Sequence, residues 1–273
     1  MTRRCRSLPA ALLGLLGLAI AGCPPPAVRV PLDPIPMQDA AGIVNENVAG
    51  ISYTLRASGT ADGYFTTARG RRRSYHVDAT LFYLAPTYFR FDLKKFGERQ
   101  ILLGSNDEWY WYYSRDSHEY LCGRHGVSQD LPPDMPVRPG QIVDALGLTM
   151  IPTRDAARRL VQRVVDDYQQ LLVLTRDDRG RLTVEREYWL DRCAPRLVRR
   201  IVFRDSDGVV EMESKVDDYR PLAPDGPWLP HSIVADWPKS NAGLRFRVAR
   251  WAVVEQVKPD SIQFATPREC DAQ

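Results

Sequence analysis

Apolar and polar residues alternate along most of the chain beyond residue 50. The alternation is clearest in two stretches, whose apolar positions are Val210, Met212 and Val216 in the first and Leu244, Phe246 and Val248 in the second. Because successive side chains of a β-strand point to opposite faces of a sheet, this period of two predicts strands that bury one face and expose the other.

Other stretches show a similar pattern, and they lie near residues 51–58, 75–84, 87–94, 98–104, 108–113, 118–122, 167–175, 181–190 and 197–204. Polar turn sequences such as SNDE, SRDS, RDDRG and RDSDG separate several of them. We therefore predict about ten or eleven antiparallel strands, joined mostly by hairpins.

Helical patterns are few. Residues 38–48 and 139–146 fit helices, and Pro139 and Gly147 suit the start and the end of the second one. Residues 154–165 fit a helix or a strand equally well. The predicted fold class is mainly β with a few helices (α+β), in which a curved antiparallel sheet has its apolar face covered by the helices.

Residues 105–125 (SNDEWYWYYSRDSHEYLCGRH) contain five consecutive aromatic residues between two polar turns. Strand alternation places the two tryptophans and Tyr113 on one face, and Tyr110 and Tyr112 on the other. The tryptophans are predicted to face inward, because an indole buries more apolar area and water readily satisfies a phenol hydroxyl. The predicted concave face then consists of Phe89, Phe91, Leu103, Trp109, Trp111, Tyr113, Met212, Leu244, Phe246 and Val248.

The start of the chain fits a secretory signal peptide. Arg3, Arg4 and Arg6 form a basic start, and residues 8–22 carry no charge. That apolar run of about 15 residues is shorter than the roughly 20 residues of a membrane-spanning helix. The sequence IAGC resembles the lipobox of bacterial lipoproteins, which implies that Cys23 becomes the first mature residue and carries a diacylglycerol. The alternative is a plain secretory signal with an incidental cysteine.

A proline-rich segment follows. Residues 24–36 (PPPAVRVPLDPIP) contain six prolines in 13 positions. Because proline fixes φ and lacks a backbone donor, the segment is predicted to run extended at about 3.1 Å per residue, with a reach of roughly 40 Å. The predicted organisation is a signal peptide over residues 1–22, a lipidated cysteine and tether over residues 23–37, and one domain over residues 38–273.

Charge excludes one class of partner. The sequence has 37 Lys and Arg against 34 Asp and Glu, and three of the arginines lie in the predicted signal peptide, so the mature chain is neutral. Because a nucleic-acid-binding protein needs a net basic surface to displace counterions, nucleic acid is not a predicted partner. The basic run at residues 69–73 (RGRRR) fits a solvated turn, or a contact with anionic lipid headgroups or an acidic partner.

No catalytic or metal-binding pattern stands out. The four histidines lack the spacing of a metal-binding motif and are His76, His118, His125 and His231. No nucleophile with a base and an orienting partner can be nominated. The chain is predicted not to be an enzyme and to need no metal or cofactor. Cys122, Cys193 and Cys270 allow at most one internal disulfide, and its pairing stays open.

The aromatic stretch and the segments around it resemble the LolA/LolB family of bacterial lipoprotein carriers and receptors. The similar segments are TYFRFDL, ERQILLGSNDEWYWYYSRDSHEYLCG, YWLDRCAPRLVRRIVF, VVEMESKVDDYRPL, WLPHSIVADWP and LRFRVARWAVVEQVKPDSIQFATP, and they cover most of residues 45–267. The resemblance implies an incomplete antiparallel β-barrel with a helical lid, whose apolar concavity binds acyl chains of lipids or lipoproteins. The long connection CGRHGVSQDLPPDMPVRPG departs from the compact members.

The resemblance also implies a location and partners. LolB is itself a lipoprotein, so lipidation at Cys23 places this chain nearer to the receptor than to the soluble carrier LolA. The expected location is the periplasmic side of the bacterial envelope, with a lipid anchor in the membrane and a periplasmic carrier protein as a further partner. Pro24 stands where an Asp marks inner-membrane retention in some enteric bacteria, which favours the outer membrane.

Two functions remain open at this point. One is a lipid-binding module that serves lipoprotein sorting or outer-membrane biogenesis. The alternative is a structural or sensory envelope lipoprotein, whose concavity is filled by its own side chains. An apolar void of more than a few hundred Å³ between sheet and helices would favour the first function, and its absence would favour the second.

Overall fold

The computed structural model describes residues 30–66, 70–116, 118–125, 137, 139–177 and 179–270. Two α-helices lie in this part of the chain, α1 Met37–Ala49 and α2 Pro139–Ala145. The strands described there are β1 Leu55–Thr66, β2 Arg72–Leu84, β3 Tyr88–Lys95, β4 Glu98–Ser105, β5 Trp109–Ser114, β6 Glu119–Arg124, β7 Arg159–Val165, β8 Tyr168–Arg176, β9 Leu182–Asp191, β10 Val198–Arg204, β11 Val210–Pro221, β12 Trp228–Trp237 and β13 Ala242–Val253. A short 3-10 helix follows at Arg268–Cys270.

The strands form one antiparallel sheet in the order β6-β5-β4-β3-β2-β1-β13-β12-β11-β10-β9-β8-β7. Neighbours in the sheet are neighbours along the chain except at the centre, where β1 pairs with β13 and Leu55 lies opposite Val253. The sheet is open and curved, with β6 and β7 as its edges. The predicted class, mainly β with a few helices, is confirmed, and the predicted count of ten or eleven strands is two or three too low.

The two strands missing from the prediction are β7 and β12. The sequence of β7 lies in the stretch that fitted a helix or a strand equally well. β12 contains Pro230, which has no N–H and therefore weakens the strand signal. Pro230 lies opposite Tyr219 of β11, and pairing of β12 with β13 begins only at Ser232, two residues beyond the proline.

Both helices pack against the same face of the sheet, which we call the inner face. α1 contributes Ala41 and Val44 to the buried core on this face, and α2 contributes Ile142 and Val143. The predicted helices at residues 38–48 and 139–146 are therefore confirmed, and Gly147 ends the second with a positive φ of 70°. Helix on sheet is the layer arrangement that buries one apolar sheet face.

Two asparagines hold α1 in place. Asn45 donates to the carbonyl of Ile151 at 3.0 Å and accepts from its N–H at 2.7 Å. Asn47 makes the same pair of bonds with Trp228, at 3.0 Å and 2.7 Å. Each amide satisfies both backbone groups of one residue, so α1 is fixed to the segment after α2 and to the start of β12.

Residues 32–36, the second half of the predicted tether, lie against the domain, and we call them the N-terminal strap. The N–H of Leu32 donates to the carbonyl of Arg192 at 3.1 Å, and Arg192 Nε donates back to the Leu32 carbonyl at 2.9 Å. The side chain of Gln169 accepts from the N–H of Ile35 at 3.2 Å and donates to its carbonyl at 2.8 Å. Residues 32–36 therefore do not add to the predicted reach of roughly 40 Å. They bind the domain because the residues between the prolines keep their backbone donors.

The predicted signal peptide, Cys23 and residues 24–29 lie outside the described residues, so lipidation and the signal peptide stay predictions. The secondary-structure elements above lie in one compact unit, Pro31–Gln273. Among the residues that the structure describes, none of the helices has the length and apolar character needed to cross a membrane.

Candidate functional site

Strand β5 carries the aromatic stretch, and its side chains point to the opposite faces from those predicted. Tyr112 is buried in the core of the inner face, and Tyr110 packs against that core. Trp111 lies in a separate cluster on the opposite, outer face, with Trp109 and Tyr113 packed around it. Trp109, Trp111 and Tyr113 are therefore not part of the concave face, and the prediction for these three residues is wrong.

The register of the β4–β5 hairpin sets this orientation. Tyr112 lies opposite Leu103, and Trp111 lies opposite Gly104. Residues directly opposite each other in antiparallel strands share a face, so Tyr112 follows Leu103 inward. A connection one residue longer or shorter would exchange the two sets of side chains. Gly104 makes room for the indole, because a Cβ atom there would lie 2.2 Å from the Trp111 ring.

The C-terminal segment, residues 254–270, covers the outer face at this point. The Asn106 side chain donates to the carbonyl of Phe264 at 3.3 Å and to Thr266 Oγ1 at 3.0 Å. Beneath this segment Trp111 is 1% exposed. The prediction placed tyrosines on the outer face of β5 because water would satisfy their hydroxyl groups there. The C-terminal segment covers this face, so that reason does not apply.

A disulfide fixes the end of this segment to the sheet. Cys122 of β6 bonds to Cys270, with a Cα–Cα distance of 5.5 Å. The sequence allowed any pairing of the three cysteines, and Cys193 lies outside this bond. The disulfide therefore joins an edge strand to the segment that buries Trp111.

The other seven predicted concave-face residues do lie on the inner face, and they are Phe89, Phe91, Leu103, Met212, Leu244, Phe246 and Val248. Their placement agrees with the predicted strand parity. Their role in binding lipid stays a prediction.

A cavity of about 60 Å³ lies between the inner face and the region of α2. Phe91, Leu103 and Leu244 were predicted members of its wall, and the residues that the prediction missed are Gly63, Tyr64, Phe65, Tyr75, Val77, Leu93, Ile101, Tyr112, Val137, Ile142, Trp237, Ala242 and Gly243. A water molecule occupies about 30 Å³ of liquid, and a cavity of about 150 Å³ admits benzene. The void is thus far smaller than the several hundred Å³ expected of an open lipid pocket.

Gly63 marks the cavity in the sequence. It lies on the inner face of β1 between the buried residues Ala61 and Phe65. A Cβ atom at this position would meet no atom closer than the Gly243 carbonyl oxygen, at 3.6 Å. A glycine within a strand of large side chains is a signal for missing volume, and the sequence reasoning did not use it.

Trp237 lies in the cavity wall and carries a buried polar group. Its side chain is 4% exposed, and its indole nitrogen is buried without a hydrogen-bond partner among the described residues. Leaving a buried N–H unpaired costs about 1–3 kcal/mol. A ligand that carries an acceptor oxygen into the cavity would recover that free energy.

Val137 and α2 form one side of the cavity, and we call them the lid. Two long-range hydrogen bonds hold this region, from Ser214 Oγ to the Ala145 carbonyl at 2.6 Å and from the Tyr83 hydroxyl to the Leu148 carbonyl at 3.1 Å. Apolar contacts of Ile142 and Val143 with the core add to these bonds.

A half-buried carboxyl group also lies in the lid. Asp144 Oδ1 lies 3.6 Å from Arg186 Nη1. Burial raises the pKa of Asp144 above its ordinary value, and the nearby Arg186 guanidinium and the Thr149 hydroxyl oppose this rise without cancelling it. The ionised carboxylate is therefore a net cost to the closed lid.

One serine and one histidine meet outside the cavity. Ser105 Oγ lies 2.9 Å from His125 Nε2, which also lies 3.1 Å from the Asn106 carbonyl oxygen. Ser105 is fully buried. The described side chains include no group of three or more His, Cys, Asp or Glu that could hold a metal ion. That the chain is not an enzyme stays a prediction.

Comparison with known proteins yields matches only in structure. No protein-family model matches the sequence, and no curated protein matches it. A DUF1329 family protein from Desulfovibrio piger superimposes with a TM-score of 0.51 at 11% identity, over 82% of this chain and 96% of that protein. A LolA superfamily protein from Nitrosomonas europaea superimposes with a TM-score of 0.50 at 11% identity, over 82% and 96% of the two chains.

A third structure, a putative outer membrane lipoprotein-sorting protein domain from Vibrio parahaemolyticus, has a TM-score of 0.48 at 11% identity, over 82% of this chain and 95% of that one. At such identity a structural match establishes the fold alone. The resemblance seen in the sequence segments is confirmed at that level, and this chain has a LolA-like fold.

Proposed function

We propose that this chain is a lipid-anchored protein of the bacterial envelope that binds an acyl chain of a lipid or lipoprotein between the lid and the inner face. In this role it serves lipoprotein sorting or outer-membrane biogenesis from the periplasmic side of the membrane. The LolA-like fold supports the proposal, because the LolA/LolB family holds acyl chains in the corresponding concavity.

The observation that carries the proposal is the buried indole N–H of Trp237, a residue of a mostly apolar wall. This donor has no partner among the described residues, so it is a group that an acceptor atom of a ligand could satisfy. The carboxyl or ester oxygen of an acyl group is an acceptor attached to an apolar chain. Such a ligand matches both the N–H of Trp237 and the surrounding surface of Phe91 and Leu103.

Binding requires the lid to move, because a cavity of about 60 Å³ does not hold an acyl chain. Val137 and Ile142 form the side of the wall that belongs to the lid, and on this proposal they are the side that moves. When these side chains leave the inner face and an acyl chain takes their place, one apolar contact replaces another. The net loss of buried apolar area is then small, and so is its free-energy cost at about 25 cal/mol for each Å² lost.

The test is a titration of the mature chain carrying Cys23→Ser with a fatty acid that bears an anthroyloxy fluorophore. Gly63→Val adds a side chain to the cavity where space exists, and it should weaken binding by at least about tenfold, or about 1.4 kcal/mol. The control is Thr60→Val, on the outer face of the same strand, which should leave the affinity unchanged. Equal affinities for the two variants would place the ligand elsewhere.

The second candidate is a structural or sensory envelope lipoprotein, and the small volume of the cavity favours it. On this alternative the inner face is a finished core, and Gly63→Val fills a void and raises the free energy of unfolding. The parent protein would then bind no fatty acid in the same titration. The two candidates therefore predict different results for the parent protein alone, since the first predicts that it binds the fatty acid and the second predicts that it does not.

A further inference from the structure

The sheet has two ends, and the strand pairing assigns each turn to one of them. β1 begins at Leu55 at the end that we call the base end, which also holds the turns at residues 166–167, 192–197 and 222–227. The opposite tip end holds the turns at residues 96–97, 205–209 and 238–241, and residues 179–181 before β9.

The N-terminal strap enters the domain at the base end. Besides the Leu32–Arg192 pair of bonds, Arg196 Nη2 donates to the carbonyl of Asp33 at 2.6 Å. Arg192 Nη1 also donates to the carbonyl of Asp166, at 3.0 Å, so the strap and two base-end turns form one bonded unit.

Ile35 anchors the other end of the strap. Its side chain packs against the core of the inner face. Gln162 Nε2 donates to its carbonyl at 3.1 Å, in addition to the two bonds from Gln169, whose side chain is 1% exposed. A segment held by several hydrogen bonds and an apolar contact is part of the folded domain and does not add to the reach of the anchor.

The link that remains between Cys23 and the strap is short. Residues 24–31 are eight residues, four of them proline, and they span about 25 Å when extended. The sheet is longer, since a strand of 12 residues such as β11 extends for about 40 Å. With the tip end against the membrane the link would have to cover the full length of the sheet, which exceeds its reach.

We infer that the N-terminal strap orients the domain, so that the base end faces the phospholipid membrane that holds the anchor and the tip end faces away from it. The inference rests on the proposed lipidation of Cys23. Trp237 and Ala242 of the cavity wall flank the β12–β13 turn at the tip end. The cavity therefore opens toward the periplasm, where a carrier or a lipid donor approaches, and not toward the anchoring bilayer.

Attraction to anionic lipid is not the cause of this orientation. The base-end turns carry both signs of charge, with Arg192 and Arg196 in one turn and Asp166 and Asp225 in two others. Such a surface has no strong preference for a negative membrane. The orientation should consequently persist at high ionic strength, where the attraction between exposed charges is screened.

The experiment measures the distance of each end from the bilayer. The mature, lipidated protein carrying Cys193→Ser receives a donor fluorophore on Asp207→Cys at the tip end or on Asp225→Cys at the base end. Both aspartates are exposed, and they flank the two ends of β11, so the labels differ in position alone. Energy transfer is measured to acceptor-labelled lipid in phosphatidylcholine vesicles after flotation.

The donor at position 225 should transfer energy more efficiently than the donor at position 207, at low and at high salt. Equal transfer, or stronger transfer from position 207, would overturn the orientation while leaving the anchor intact. Protein that fails to float with the vesicles would overturn the anchor itself, and the orientation with it.

A strap variant tests the cause. Ile35→Asp places a charge in the apolar contact and should release the strap, which lengthens the link by five residues or about 15 Å. The difference in transfer between the two labels should then shrink. An unchanged difference in a folded Ile35→Asp protein, as judged by its circular dichroism, would contradict the strap as the orienting element.

Discussion

Gly104 and Trp111 show how a single pair of residues determines which face a strand presents. Trp111 occupies the space that a side chain at position 104 would fill. The indole is enclosed because Gly104 lies beneath it and the C-terminal segment lies above it.

Gly104→Ala should lower the free energy of unfolding by about 1–3 kcal/mol, because the added methyl group cannot coexist with the indole in its present position. Chemical denaturation of the mature chain measures this change. The matched control is Gly63→Ala, where a Cβ has ordinary contact distances. That control should be neutral or stabilising by up to about 1 kcal/mol, since alanine restricts the unfolded chain. Similar losses for the two variants would show that the indole is not tightly packed.

Residue types alone predicted the orientation of β5 incorrectly, and the reason is physical. Trp111 does bury more apolar area than Tyr112, as expected, but burial is available on both faces of this strand. The preference of tryptophan for burial therefore did not identify the inner face. Gly104, next to a large aromatic strand, was the informative residue in the sequence, because only a residue without a side chain leaves room for an indole.

At the scale of elements, the C-terminal segment is a cover for the outer face of β4 to β6. Its contact with the sheet depends on Asn106 and on the Cys122–Cys270 disulfide. The disulfide closes a loop with a sequence separation of 148, so it strongly restricts the unfolded chain.

Cys270→Ser should lower the free energy of unfolding by about 2–5 kcal/mol, the usual effect of removing a native disulfide. It should also expose Trp111, which a red shift of tryptophan fluorescence would report before global unfolding. Cys193→Ser, outside the disulfide, is the control and should change neither quantity. A Cys270→Ser protein with unaltered stability and fluorescence would contradict the role of the segment as a cover.

The lid should respond to pH through Asp144. Because burial raises its pKa above the ordinary 3.8, the folded state binds the proton more tightly than the unfolded state does. The resulting stabilisation is complete below pH 3.8 and is lost as the pH rises through the raised pKa. Arg186 and Glu185 are the charged groups that act on this carboxylate, in opposite directions.

Asp144→Asn removes this titration. The stability of the variant relative to the parent should therefore be more favourable near about pH 7 than near about pH 4. Denaturation of the two proteins at both pH values gives the comparison, in which all other titrating groups cancel. A relative stability that is the same at both pH values, or more favourable at the lower one, would contradict the raised pKa.

The helices and most strands were predictable, because their patterns are local. α1 and α2 follow from helical sequence patterns, and Pro139 and Gly147 mark the ends of α2. Eleven strands follow from the alternation of apolar and polar residues and from turn sequences. β12 was not predictable in the same way, since Pro230 interrupts its pattern. The cavity was not predictable either, because its wall combines residues from seven strands and the lid that only the sheet order brings together.

At the scale of the whole molecule, the predicted lipid anchor and the N-terminal strap act together. On the proposed function the anchor holds the protein at a membrane, and the strap determines the point at which the chain leaves the domain. We therefore expect that removing the anchor leaves the fold of the described domain unchanged.

Cys23→Ser should release the processed protein from membranes into the soluble periplasmic fraction, because the thiol that carries the diacylglycerol is lost. Fractionation of cells that express the parent and the variant measures the change, and Cys193→Ser is the control that should stay with the membrane. Processed Cys23→Ser protein that remains in the membrane fraction would show that another element anchors the chain.

Native mass spectrometry of the mature chain carrying Cys23→Ser shows whether the space between the lid and the inner face takes an acyl chain. We predict a bound species whose added mass matches a lipid or fatty acid from the host membrane. The adduct should be lost in Gly63→Val and kept in Thr60→Val, whose side chain lies on the outer face of the same strand. A parent protein that carries no such adduct, and acquires none when incubated with lipid, would contradict the claim and leave a structural lipoprotein with a closed core.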